Sequence, residues 1–176
     1  MWLAAVWGFR MSELRLAKIS DFDMEKRVWT VPPENHKNGR KTKRALKRPI
    51  LEEMVPLITE LATFSDDGIH LYTAERTRTV AVGFFWGAWP RRINLWLEKH
   101  GEVPIAHWTL HDLRTTLRTN IARFTPPHVC EIMLGHNLPL IWRTYDQYDY
   151  LKEQTEAYQA WWEELQRIGK RYLPPG

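Results

Sequence analysis

TLHDLRTTLRTNIARF, residues 109–124, reads as a single helix. Thr109 supplies a side-chain oxygen ahead of the first turn, and Asp112 follows three residues later, where a carboxylate can reach back to the cap. Leu110, Leu113, Leu117 and Ile121 recur at helical spacing and form an apolar stripe. His111 and Arg114 are three apart and so lie on one face. With the leucines turned to the core, the pair is expected to point together away from it.

Working outward, Pro126 and Pro127 open a following helix that ends at Gly135, where a sharp turn presents His136. Residues 2–7 and 12–18 read as two helical pieces joined around Gly8, with Arg10 just after the turn. Residues 27–31 and 46–50 read as short strands, and Pro32, Pro33 and Asn38-Gly39 supply turn chemistry between them. Lys37 then sits on or beside a hairpin with a basic tip. Residues 51–63 resume helical spacing, 65–68 form a loop, and 69–72 a short buried extended piece. Residues 80–100 are a Trp-rich helical region that Pro90 starts, kinks or divides. After Pro139 comes the segment carrying Tyr145, then an amphipathic helix over about 151–168. The expected fold is mainly α with a small antiparallel β-sheet (α+β), in a single domain over 1–176.

Composition limits the function. A hydrophobic content of 44% with ten Trp indicates a folded globule whose tryptophans are mostly core. The net charge of +4 is mild, but Lys37 to Arg48 holds seven Lys and Arg and no acid. Such a local positive field attracts a polyanion. Lone Cys130, among apolar neighbours, reads as a buried structural thiol suited to a reducing cytoplasm. No apolar run is long enough to span a bilayer, and the start carries no secretory signal. The abrupt opening suggests a chain cut inside or just before a helix. There is no H-E-x-x-H, Cys pair or carboxylate cluster for a metal-dependent nuclease.

Six residues can instead cleave a phosphodiester without a cofactor. Arg10 and Arg114 can fork onto phosphate oxygens and stabilise the charged transition state. His111 and His136 can add hydrogen bonds or move the tyrosine proton. Tyr145, with an ordinary pKa near 10, needs such cationic surroundings to attack at neutral pH. Lys37 can protonate the departing 5′ oxygen. Arg40, Lys41, Lys43 and Arg44 are candidate DNA-binding residues.

Taken in order, these pieces resemble the tyrosine recombinases, or phage integrases, specifically their C-terminal catalytic domain. GFRMSELRLAKISDFDMEKRVWTVP resembles the family's first arginine box and the start of its hairpin. HDLR resembles the His-x-x-Arg box, MLGH the second histidine box, and TYDQYDYL the nucleophile segment. The resemblance implies that Arg10, Lys37, His111, Arg114 and His136 surround the scissile phosphate while Tyr145 attacks it. It implies DNA recombination or integration through a 3′-phosphotyrosyl intermediate, on double-stranded DNA, in a mobile-element or phage setting. No metal or cofactor is needed, because bond energy stays in the covalent link. It also implies a homotetramer on DNA, with segments near 151–176 packing on neighbouring protomers, a cytoplasmic, nucleoid-associated location, and an N-terminal DNA-binding domain outside this chain. Packing of the 151–168 helix on its own domain is the alternative. Leu46 stands where members often carry a histidine. Lys41 and Lys43 remain alternatives to Lys37, and Tyr148 and Tyr150 to Tyr145. Competing functions are a non-catalytic DNA-binding domain of the same fold and a type IB topoisomerase-like strand cleavage.

Overall fold

A computed structural model describes residues 2–73, 88–136 and 148–172. Expectations for residues 80–87 and for the segment carrying Tyr145 lie outside the described residues. Among the described residues the chain is mostly helical around one small antiparallel sheet, as its patterning implies. The helices are α1 (Trp2–Trp7), α2 (Met11–Arg15), α3 (Gly39–Thr42), α4 (Val55–Ala62), α5 (Trp89–Lys99), α6 (Leu110–Ile121), α7 (Pro127–Met133) and α8 (Leu151–Tyr172). No described helix is long and apolar enough to cross a membrane.

The sheet runs β1 (Phe22–Asp23), β2 (Val28–Val31), β3 (Leu46–Pro49), in that order. Thr30 stands opposite Lys47 and Phe22 opposite Trp29. Two strands were expected and the described residues hold three, because β1 is only two residues long and shows no alternation of its own. The connection from β2 to β3 is also not a simple hairpin tip. It holds a 3-10 turn at Pro33–Asn35 and then α3, which Lys43 ends in the left-handed region at φ 58. His36 clips this loop shut. Its Nδ1 accepts from the Gly39 N–H at 3.1 Å, so Nε2 carries the proton and donates to the Arg44 carbonyl at 2.9 Å.

Helix α6 starts as read. Asp112 accepts from the Thr109 N–H at 2.6 Å and from its hydroxyl at 2.9 Å, which holds the carboxyl below its usual range. Its buried face differs from expectation. Leu117, Ile121 and Arg114 are buried, Leu110 and Leu113 only partly so, and His111 is exposed. Arg114 therefore lies on the core stripe, seven residues before Ile121, and does not share an outward face with His111. Pro90 starts α5. Of the piece expected over 69–72, Leu71 is buried, Ile69 is 56% exposed, and among the described residues its pairing is one bridge between Lys18 and His70.

Helix α1 is the wedge of the core. It packs on α6 and α8, and Trp7 donates its indole N–H to the Pro49 carbonyl of β3 at 3.0 Å. Trp29 of β2 collects three aromatic neighbours: Phe22 stacked at 5.2 Å, Trp7 at 5.0 Å and Phe9 edge-on at 5.9 Å. Helix α8 packs on its own domain, against β3, α1, α6 and α7. Ala157, Tyr158 and Trp161 line its buried face, and Trp161 donates to the Ala5 carbonyl at 2.9 Å. Cys130 is buried as expected, and burial pushes its thiol up.

Two outcomes follow from this packing. Trp161→Ala should destabilise the isolated chain by about 3–5 kcal/mol in urea unfolding; a wild-type midpoint would mean that α8 is not docked. Burial also pushes the Tyr158 phenol up to about 12. The folded chain then holds this proton more tightly than the unfolded one, so the contribution is whole below pH 10 and lost as pH rises towards 12. Tyr158→Phe should therefore lose less stability than wild type across that alkaline window.

Candidate functional site

Two glycines in the left-handed region turn the chain where the site forms. Gly8, at φ 55, ends α1, and a Cβ there would meet Leu117 Cδ2 at 2.5 Å. Gly135, at φ 63, ends α7, and a Cβ there would meet Leu46 Cδ2 at 2.7 Å. Both positions demand a conformation that L side chains rarely adopt and a space that only hydrogen leaves open. At α7 the Gly135 N–H bonds the Ile132 carbonyl and the His136 N–H the Glu131 carbonyl, both at 2.8 Å. This paired Schellman cap folds His136 back over Glu131.

Arg114 reaches from α6 into the gap between the two turns. Its Nη1 donates to the Gly8 carbonyl at 2.7 Å, and its Nη2 to the Leu134 carbonyl at 2.6 Å and to His136 Nε2 at 2.9 Å. Arg10 approaches the same Leu134 carbonyl at 3.5 Å. Burial, and then the nearby Arg10 charge, push the Arg114 guanidinium down to about 10. Two arginines sharing one carbonyl oxygen make a strongly positive spot that favours an anion.

One buried carboxylate balances it. Glu13 is fully buried on α2, 3.5 Å from Arg10 and 2.7 Å from Arg48. Arg48 is itself fully buried, its guanidinium 5.0 Å above the Trp29 ring. Arg48, counted in the basic run from Lys37, therefore adds its charge inside the protein and not to a solvent-facing patch. The period-two alternation of β3, with Leu46 and Arg48 inside and Lys47 out, is the signal that could have found it.

His136 has a second partner. Its Nδ1 lies 2.5 Å from Glu131 Oε2, while Arg118 holds Glu131 Oε1 at 2.7 Å. Partial burial pushes the Glu131 carboxyl up, but the bonds from His136 and Arg118 outweigh it and hold it below the usual range. Glu131 and Arg118 were not read from the sequence, although residues five apart across a helix cap are brought together by this turn.

The structure thus brings Arg10, Arg114 and His136 together and leaves two other expected residues at the rim. His111 is exposed in the first turn of α6, and among the described residues no hydrogen bond joins its side chain to the cluster. Lys37 is exposed in the β2–β3 connection, next to Asn38, whose amide donates to the Gly135 carbonyl at 2.7 Å and docks this loop on the site. Arg40, Lys41, Lys43 and Arg44 are exposed on the same loop. Tyr145 lies outside the described residues. Tyr148 is exposed beside carboxylates, Glu153 foremost, that push its phenol up, and Tyr150 is held at φ 53 against His128.

The two ion pairs at β3 should differ sharply in worth. Glu13→Leu leaves Arg48 buried and unpaired and should cost about 3–5 kcal/mol of stability in urea unfolding. Lys47, paired with Asp149 at 3.1 Å on the surface, should cost under about 1 kcal/mol as Lys47→Ala. Equal losses would show that the buried network is not organised as described.

In comparisons with known proteins, neither a curated protein nor a solved structure matches the chain. A family model does: the one described as phage integrase family, over residues 1–151, which takes in every piece of the cluster from Arg10 to His136. The chain belongs to the phage integrase family, that of the tyrosine recombinases.

Proposed function

We propose that this domain cleaves and rejoins DNA strands as the catalytic part of a site-specific recombinase. The observation that carries the reading is the convergence of Arg10 and Arg114 on the Leu134 carbonyl, with His136 on Arg114. That cluster suits a non-bridging phosphate oxygen, which would draw on the same donors.

Tyr145 Oη attacks the phosphorus as the bond to the 5′ oxygen breaks. A histidine, His136 with His111 as helper, takes the phenol proton, and Lys37 gives one to the leaving oxygen. The strand is then held as a 3′-phosphotyrosyl ester that a 5′-hydroxyl can reseal, so neither metal nor nucleotide is consumed. The spacing of nine residues from His136 supports Tyr145 over its neighbours. The carboxylates around Tyr148 also oppose phenolate formation there. Arg40, Lys41, Lys43 and Arg44 would neutralise backbone phosphates of double-stranded DNA. The setting is cytoplasmic, on nucleoid DNA, with protomers assembled as a tetramer around paired sites.

The test uses 5′-labelled, nicked duplexes of randomised sequence and counts protein–DNA adducts that survive detergent. Wild type and Tyr148→Phe should form them, and Tyr145→Phe should not, with DNA retention unchanged in all three. Adducts with Tyr145→Phe would sink the nucleophile assignment. DNA retention with no adduct from wild type would instead favour a non-catalytic DNA-binding domain.

A further inference from the structure

The partners around His136 decide where its proton sits. Glu131 is an ionised carboxylate held by Arg118, so its Oε2 can only accept, and the His136 Nδ1 facing it at 2.5 Å must donate. Arg114 can only donate, so the His136 Nε2 facing it at 2.9 Å must accept. The neutral ring is therefore the Nδ1–H tautomer, with its lone pair turned to the arginine cluster. The cap at Gly135 builds this arrangement, because the turn that bonds the His136 N–H to the Glu131 carbonyl also lays one side chain over the other.

We infer that Glu131, anchored by Arg118, is a positioning residue that fixes His136 as a proton acceptor towards the arginine cluster. The role rests on the proposed cleavage reaction and adds a carboxylate–imidazole pair to it. When Nε2 takes the phenol proton, its bond from Arg114 is given up, and the ring becomes a cation between Arg114 and Arg10 on one side and Glu131 on the other. Opposite charge at Nδ1 offsets part of that repulsion. A neutral partner there would not.

Glu131→Gln is the decisive variant because it keeps shape and size. Arg118 needs an acceptor and so holds the amide oxygen, which leaves the amide N–H₂ facing Nδ1. The His136 proton is then driven to Nε2, where it opposes the Arg114 donor. Nitrogen-15 NMR of the imidazole, in the full chain without DNA, should show His136 as the Nδ1–H tautomer in wild type and as Nε2–H in Glu131→Gln. With the nicked duplexes, Glu131→Gln should form adducts about 10²-fold more slowly, the worth of a positioned proton acceptor, with DNA affinity unchanged. Nε2–H in wild type, or no tautomer change in a folded Glu131→Gln, would overturn the assignment. So would an unchanged adduct rate in the variant. Absence of adduct from wild type alongside the expected tautomer switch would instead sink the cleavage reading and leave the Glu131–His136 geometry standing.

Discussion

The Leu134 carbonyl is the point on which the site turns. It faces Arg10 and Arg114 at once, and it is available because Gly135 breaks α7 in the left-handed region. A helix that continued would have spent this oxygen on its own ladder. Ending at Gly135 instead frees the carbonyl for arginine, offers the Gly135 oxygen to Asn38, and sets His136 over Glu131. Sharp termination of a seven-residue helix thus organises pieces drawn from four parts of the chain.

Like charges gathered in this way need compensation inside the protein. Glu13 provides it, shared between Arg10 and Arg48, while Arg48 rests on Trp29 within the aromatic cluster. The core and the site are therefore one construction. Helix α1 delivers Gly8 and Arg10 at its end, its Trp7 ties to β3, and α8 closes over it through Tyr158 and Trp161. Loss of packing under Trp29 would reach the arginines through two side chains.

Much of this was legible because the signals are local. The cap at Thr109–Asp112, the proline starts of α5 and α7, the glycine stop at 135 and the amphipathic α8 all rest on interactions within a few residues. The order of the arginine, histidine and tyrosine boxes carried the family. What was misread needed distant contacts. Arg114 was placed on an outward face because Leu110, Leu113 and Leu117 were assigned to the core, yet two carbonyls from other elements make its burial tolerable. Arg48 was counted in the basic run from Lys37, and the alternation of β3 turns it inward. Strand β1 was missed because two residues have no period, and they pair only once β2 is beside them.

The sequence by itself determined the fold class and where the longer helices lie, and it nominated residues that could bind an anion, since propensity, capping and periodicity act along the chain; α3 and the early end of α2 at Arg15 came only with the structure. Only the tertiary structure decided which of those residues meet. Arg10, Arg114 and His136 converge while His111 stays at the rim, and Glu131 enters as a partner that no motif announced. The physical reason is that a buried charge is stable only where donors and acceptors from separate elements close around it. The closures around Arg114 and Arg48 join distant parts of the chain, and no short window of residues contains them.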